Sequence, residues 1–184
     1  MRLQHSPEKG LCMVTSVAMA LDMPAQELLD RLGDGWKSLA FPNLPIPYCW
    51  RGIHIQELIQ IALSRGYAVT PIELMPQVAP PQGINPVTRE PYLNVLVFYN
   101  GTEESNWDIF NRAIMNYSGI ITGMITPSST RMLQRGHAVA FEKGVIFDPS
   151  NDAFLYSVQE CETRHFYANC VWRFDKMEVL YAAL

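Results

Sequence analysis

The chain has 184 residues, 48% of them hydrophobic and 17% charged, with a net charge of -4 and a pI near 5.5. That length and apolar content suffice for one globular domain over residues 1–184 with its own core. The acidic balance and the lack of any Lys/Arg run exclude the footprint of a nucleic-acid binder, and no apolar stretch approaches the about 20 residues that cross a bilayer.

Charged residues fall well below the roughly 25% usual in soluble domains, so a partner or self-association can cover part of an uncharged surface. Met1-Arg2-Leu3-Gln4 leads into polar residues rather than a signal-peptide core. Cys12, Cys49, Cys161 and Cys170 are too scattered for a disulfide framework. A reducing, cytoplasmic setting is expected, in which a thiol stays free for chemistry.

In chain order, Cys12 to Leu21 reads as a helix: Val14, Val17, Ala18 and Leu21 form one stripe, with Cys12, Ser16 and Met19 opposite. Asp22-Met23-Pro24 restarts the chain, and Ala25, Leu28, Leu29 and Leu32 stripe a second helix closed by Gly33. Residues 34–52 are irregular, with Trp36, Phe41, Tyr48 and Trp50 as packing groups or a wall of a substrate cleft. Ile55 to Leu63 stripes a third helix, and Tyr67 to Leu74 reads as a strand. A proline-rich loop is expected up to residue 91, then Tyr92 to Tyr99, apolar on both faces, as a central strand. Trp107, Phe110, Ile114 and Tyr117 stripe a fourth helix; strands follow at 120–125, 137–142, 145–148 and near 170–180. Helices first and mostly antiparallel strands afterwards make an α+β pattern.

The segment Gly136-His137-Ala138-Val139-Ala140-Phe141 … Val145-Ile146-Phe147-Asp148-Pro149 reads as a hairpin turning at Lys143-Gly144. With that turn Val139 faces Asp148 and His137 faces Ser150, so His137 and Asp148 become diagonal neighbours on one face. The carboxylate would then hold the imidazole in one tautomer and stabilise its charged form. Cys12 supplies a thiol at a helix start, where unpaired N–H groups and the positive end of the dipole favour thiolate. An attacked carbonyl also needs donors for its growing negative charge. The Cys12 backbone N–H is one candidate and the Gln4 side-chain amide the other, with His5 as the competitor for that second place.

Gln4, Cys12, His137 and Asp148, in that order, resemble the Gln…Cys…His…Asp/Asn pattern of papain-fold cysteine peptidases, in style the compact bacteriocin-processing, double-glycine-leader group. The short helix behind the Cys-led helix, and Gly-His-Ala-Val-Ala-Phe running into Val-Ile-Phe-Asp-Pro-Ser, carry the likeness. It implies a papain-like fold in which an N-terminal helical part packs on a mostly antiparallel sheet. It further implies hydrolysis of an amide bond in a protein or peptide substrate through a thioester on Cys12, with no cofactor and no metal.

A transglutaminase-type acyltransferase would use the same three residues with a different acceptor. A catalytically inactive papain-fold binding or inhibitor protein would keep the fold and lose the reactivity. Cys161, His165 and Cys170, with Cys49 or His54, bring zinc to mind, but their spacings lack a second close pair.

Overall fold

A computed structural model describes residues 1–8, 10–33, 53–78, 96–99, 102–125, 135–150, 154–157 and 166–178. The expected irregular stretch with Trp36, Phe41, Tyr48 and Trp50, most of the proline-rich loop, and Cys49, Cys161 and His165 lie outside the described residues. Within them the fold is α+β, with a six-stranded sheet and helices on both of its faces.

Four helices form where the apolar spacing predicts them: α1 (Cys12–Ala20), α2 (Ala25–Leu32), α3 (Ile55–Ser64) and α4 (Asn106–Asn116). Three of their boundaries have a local cause. Gly33 follows α2 at φ +64° and Gly66 follows α3 at φ +79°, a left-handed region that glycine enters without a Cβ penalty. At the start of α3 the Glu57 carboxylate accepts the His54 backbone N–H at 2.9 Å, one half of a capping box.

Strands β1 (Tyr67–Val78), β4 (Ser118–Ile125), β5 (Arg135–Glu142), β6 (Val145–Asp148), β7 (Phe154–Ser157) and β8 (Phe166–Lys176) make the main sheet, in the order β1-β8-β4-β5-β6-β7. Every neighbouring pair is antiparallel. Gly119 permits the approach of β4 to β8, since a Cβ there would strike the Trp172 carbonyl. The turn between β5 and β6 has positive φ at both Lys143 (+47°) and Gly144 (+82°), the type I′ geometry that matches strand twist.

Of the expected central strand over Tyr92–Tyr99, residues 92–95 lie outside the described residues and the rest is corrected. Leu96–Tyr99 (β2) pairs with Thr102–Ser105 (β3) in a separate two-stranded ribbon, Tyr99 against Thr102. Between those ends lies Asn100-Gly101, a dipeptide with a strong hairpin preference that outweighs the evenly apolar run before it. Strand β1 keeps the expected span from Tyr67 through Pro71 to Leu74 and continues to Val78, into the expected proline-rich loop. As an edge strand it tolerates the missing N–H of Pro71.

Side-chain alternation divides the core between the two faces. On one face Val14, Val17, Leu28 and Leu58 from the first three helices, with Leu21 just after α1, pack with Ile120 and Phe174. On the other, Phe110 and Ile114 of α4 pack with Ile121, Val139, Phe141 and Val171. The small Ala138 and Ala140 of β5 face α1, and Met19 packs on Ala140 and Phe147. Alanine at those positions lets α1 lie close along β5, which puts its first turn beside the start of that strand. No helix among the described residues is long and apolar enough to cross a membrane.

Candidate active site

The β5–β6 register is Ala140 with Phe147, Phe141 with Ile146 and Glu142 with Val145, as the Lys143-Gly144 turn requires. His137 and Asp148 therefore share a face, and His137 Nε2 lies 3.0 Å from Asp148 Oδ1. The same oxygen accepts the Ser150 backbone N–H at 2.9 Å. Both side chains are well shielded, at 10% and 3% exposure, so their attraction is little weakened by water.

Cys12 arrives from α1. Because Nε2 is committed to Asp148, Nδ1 is the ring nitrogen left for the thiol, and each group favours the charged form of the other. The first turn of α1 carries no acidic residue and its N-cap, Leu11, makes no side-chain cap bond. The positive end of the helix is thus left to the sulfur, whose charged form the Met13 backbone N–H also favours.

A second backbone donor comes from β5. Continuing the hairpin register would set Ala138 against Pro149, but proline has no N–H to give to the Ala138 carbonyl. The Pro149 carbonyl in turn accepts the Ser6 N–H at 2.9 Å. The ladder is open at this step, and α1 occupies the opening. The Ala138 N–H on that edge favours the charged form of Cys12, and the Ala138 carbonyl accepts the Ser16 hydroxyl at 3.0 Å. Strand N–H and C=O groups lie in the plane of the sheet. The sulfur therefore sits beside β5 where β6 has ended, and reaches a histidine whose side chain belongs to the far face.

Electrostatics follow from these contacts. Burial works against the charged form of each group, and in each case the partners outweigh it. His137 is held at about 9 by Asp148 and Cys12. Cys12 is held below its ordinary value by His137 and by the Ala138 and Met13 N–H groups. Asp148 is lowered by His137 and Ser150. The three directions favour thiolate, imidazolium and carboxylate together. Cys170 is the contrast: burial, with Glu73 adding to it, pushes that thiol up to about 11.

Gln4 is placed elsewhere. Its Nε2 donates to the Met23 carbonyl at 2.8 Å and its Oε1 accepts the Ala25 N–H at 2.9 Å. Both partners lie beyond the C-terminus of α1, about 12 Å along the axis from Cys12 at 1.5 Å per residue. The expectation that Gln4 donates to an oxyanion at Cys12 is therefore corrected: its amide ties the lead segment to the α1–α2 connection. His5, its competitor, is exposed. The Cys12 backbone N–H remains the donor suited to that task.

Two neighbours of the site carry no functional signal in the sequence. Ser16 stands one helical turn after Cys12, a spacing that does put both on one side. Phe166 meets the His137 ring edge-on, with centroids 5.8 Å apart and planes at 89°. It does so because the β4–β8 register slips by one residue between Thr122 and Gly123, a bulge that gives Phe166 and Ala168 the face of His137. No motif marks that slip. Among the described residues no group of His, Cys, Asp and Glu is placed to hold a metal ion. No protein-family model matches the chain, and no curated protein matches it significantly.

Proposed function

We propose that this protein is a thiol hydrolase of papain-like architecture that cleaves an amide bond in a protein or peptide by way of a thioester on Cys12. The observation that carries this reading is the continuous chain of contacts from Cys12 through His137 to Asp148, with all three ionisations biased toward the charged triad.

The Cys12 thiolate attacks the carbonyl carbon, and the charge that gathers on the carbonyl oxygen is met by the Cys12 N–H in the first turn of α1. Collapse of that intermediate breaks the C–N bond. The His137 imidazolium gives its proton to the departing amine, and a thioester remains. Neutral His137 then takes a proton from water, whose oxygen attacks the thioester and releases the acid and the thiolate. Asp148 keeps the ring in the tautomer and orientation both steps need. A reducing cytosol would preserve the free thiol.

The test uses two probes on the intact chain. Iodoacetamide labelling across pH, read peptide by peptide, should mark Cys12 far faster than Cys49, Cys161 or Cys170 below pH 7. An activated acetyl ester should leave an acetyl group on Cys12 that decays in water. Equal labelling of all four cysteines, or no acylation of Cys12, would overturn the hydrolase reading in favour of a binding protein. Capture of the acetyl group by added amines in preference to water would reassign the chemistry to acyl transfer.

A further inference from the structure

We propose that Ser16 is a positioning residue for the Cys12–His137 pair, an inference that rests on the thiol-hydrolase reading above. Ser16 is fully buried within α1. A hydroxyl in a helix interior has a ready partner in the carbonyl one turn back, and its neighbour Thr15 takes that course, donating to Leu11 at 2.9 Å. Ser16 instead donates to Ala138 on β5 at 3.0 Å, a partner 122 residues away in the chain.

The partner matters because Ala138 follows His137 and because its two backbone groups are both claimed by α1. Cys12 and Ser16 are one helical turn apart, about 6 Å along the axis. The Ala138 N–H favours the thiolate of the first, and the second donates to the Ala138 carbonyl at 3.0 Å. A single bond would let α1 slide along β5 or roll on it. The Ser16 bond to Ala138, together with the placement of Cys12 beside the N–H of the same residue, fixes both the register and the rotation of the helix. Pro149 makes this necessary, because no strand N–H is present there to hold that carbonyl.

Removing the Ser16 hydroxyl leaves the Ala138 carbonyl buried without its donor and frees the strand to turn toward another one. The Ala138 N–H then withdraws from the sulfur, and the imidazole one residue earlier moves with it. A side chain that merely filled space would leave the ionisation of Cys12 untouched.

The experiment compares the parent protein, Ser16→Ala and the near-isosteric Ser16→Cys, whose thiol is a weak donor. Iodoacetamide labelling of Cys12 is followed from pH 4 to 9, with the buried Cys170 as witness of the fold. The midpoint of Cys12 labelling should rise by about one pH unit in both variants, an about tenfold loss of reactivity at pH 6. Cys170 should stay protected in both. A folded variant with the parent midpoint overturns the role of Ser16 while leaving the hydrolase reading intact. Unfolding of both variants also overturns it, since the hydroxyl would then be purely structural. Slow labelling of Cys12 in the parent itself sinks the underlying reading instead.

Discussion

His137 and Asp148 are diagonal neighbours in the β5–β6 hairpin, joined by a 3.0 Å contact between Nε2 and Oδ1. The relation is fixed by a two-residue turn, since any slip by one residue would send the two side chains to opposite faces. The carboxylate therefore reaches the ring through backbone register, with only short side chains to order.

Asp148→Asn keeps a partner for the ring and removes the charge. Burial then meets less opposition, and His137 should fall from about 9 toward or below its ordinary 6.5. An NMR titration of the ring protons measures this directly, and Cys12 should lose at least about tenfold of its labelling rate at pH 6 with it. Asp148→Ala goes further by leaving a buried group unpaired, for an expected loss of about 3–5 kcal/mol in urea unfolding. A His137 midpoint still near 9 in the Asn variant would show that Asp148 does not govern the ring.

Gln4→Ala separates the structural role of that side chain from a catalytic one. Two hydrogen bonds at the α1–α2 connection disappear, which should cost about 1–3 kcal/mol of stability. Labelling of Cys12 and turnover of an activated ester should stay near parent values once the protein is folded. A hundredfold fall in acylation with unchanged stability would return Gln4 to the oxyanion site.

Much of this arrangement is legible from residue spacing, and what is not has identifiable causes. The hairpin pairing of His137 with Asp148 follows from turn chemistry and alternation, both local rules. The helix at Cys12 follows from its apolar stripe, although the chemistry lies on the other side of that stripe, against Ala138 and Ala140. Chain order alone points to Gln4, and it says nothing about which end of α1 the lead segment reaches. Phe166 depends on a one-residue slip between β4 and β8 set by tertiary pairing. The opening beside Ala138 was present in the sequence as Pro149, but its meaning needs the register in hand. Tyr92–Tyr99 misled because an apolar run marks burial without saying in which sheet.

Pro149→Ala tests the opening itself. The new N–H gives the Ala138 carbonyl a strand partner and lets the ladder extend, which draws the Ala138 N–H away from Cys12. The pH midpoint for Cys12 labelling should rise, while unfolding stability changes by no more than about 1 kcal/mol from the freer unfolded chain. A midpoint equal to that of the parent would mean that the missing N–H has no bearing on the thiol.

The pH dependence of stability gives the most demanding check, because the three groups act in different windows. Asp148 has a folded pKa below 3.8, so its contribution is present above that value and is lost as pH falls through the lowered one. His137 is raised from 6.5 to about 9, so its contribution is complete below 6.5 and is lost as pH rises through about 9. Cys12 is lowered from 9.0, so its contribution grows as pH climbs toward 9.0 and offsets part of the His137 loss. The parent should therefore show a shallow alkaline limb. Cys12→Ala removes the offset and leaves Asp148 to hold the imidazolium. Its urea stability should be level from about pH 5 to 6 and then fall by about 1–2 kcal/mol toward pH 9. The parent curve should cross this range with a smaller slope. A Cys12→Ala protein of constant stability from pH 5 to 9 would mean that Asp148 alone does not hold His137 protonated in the folded state, against the role given to that carboxylate.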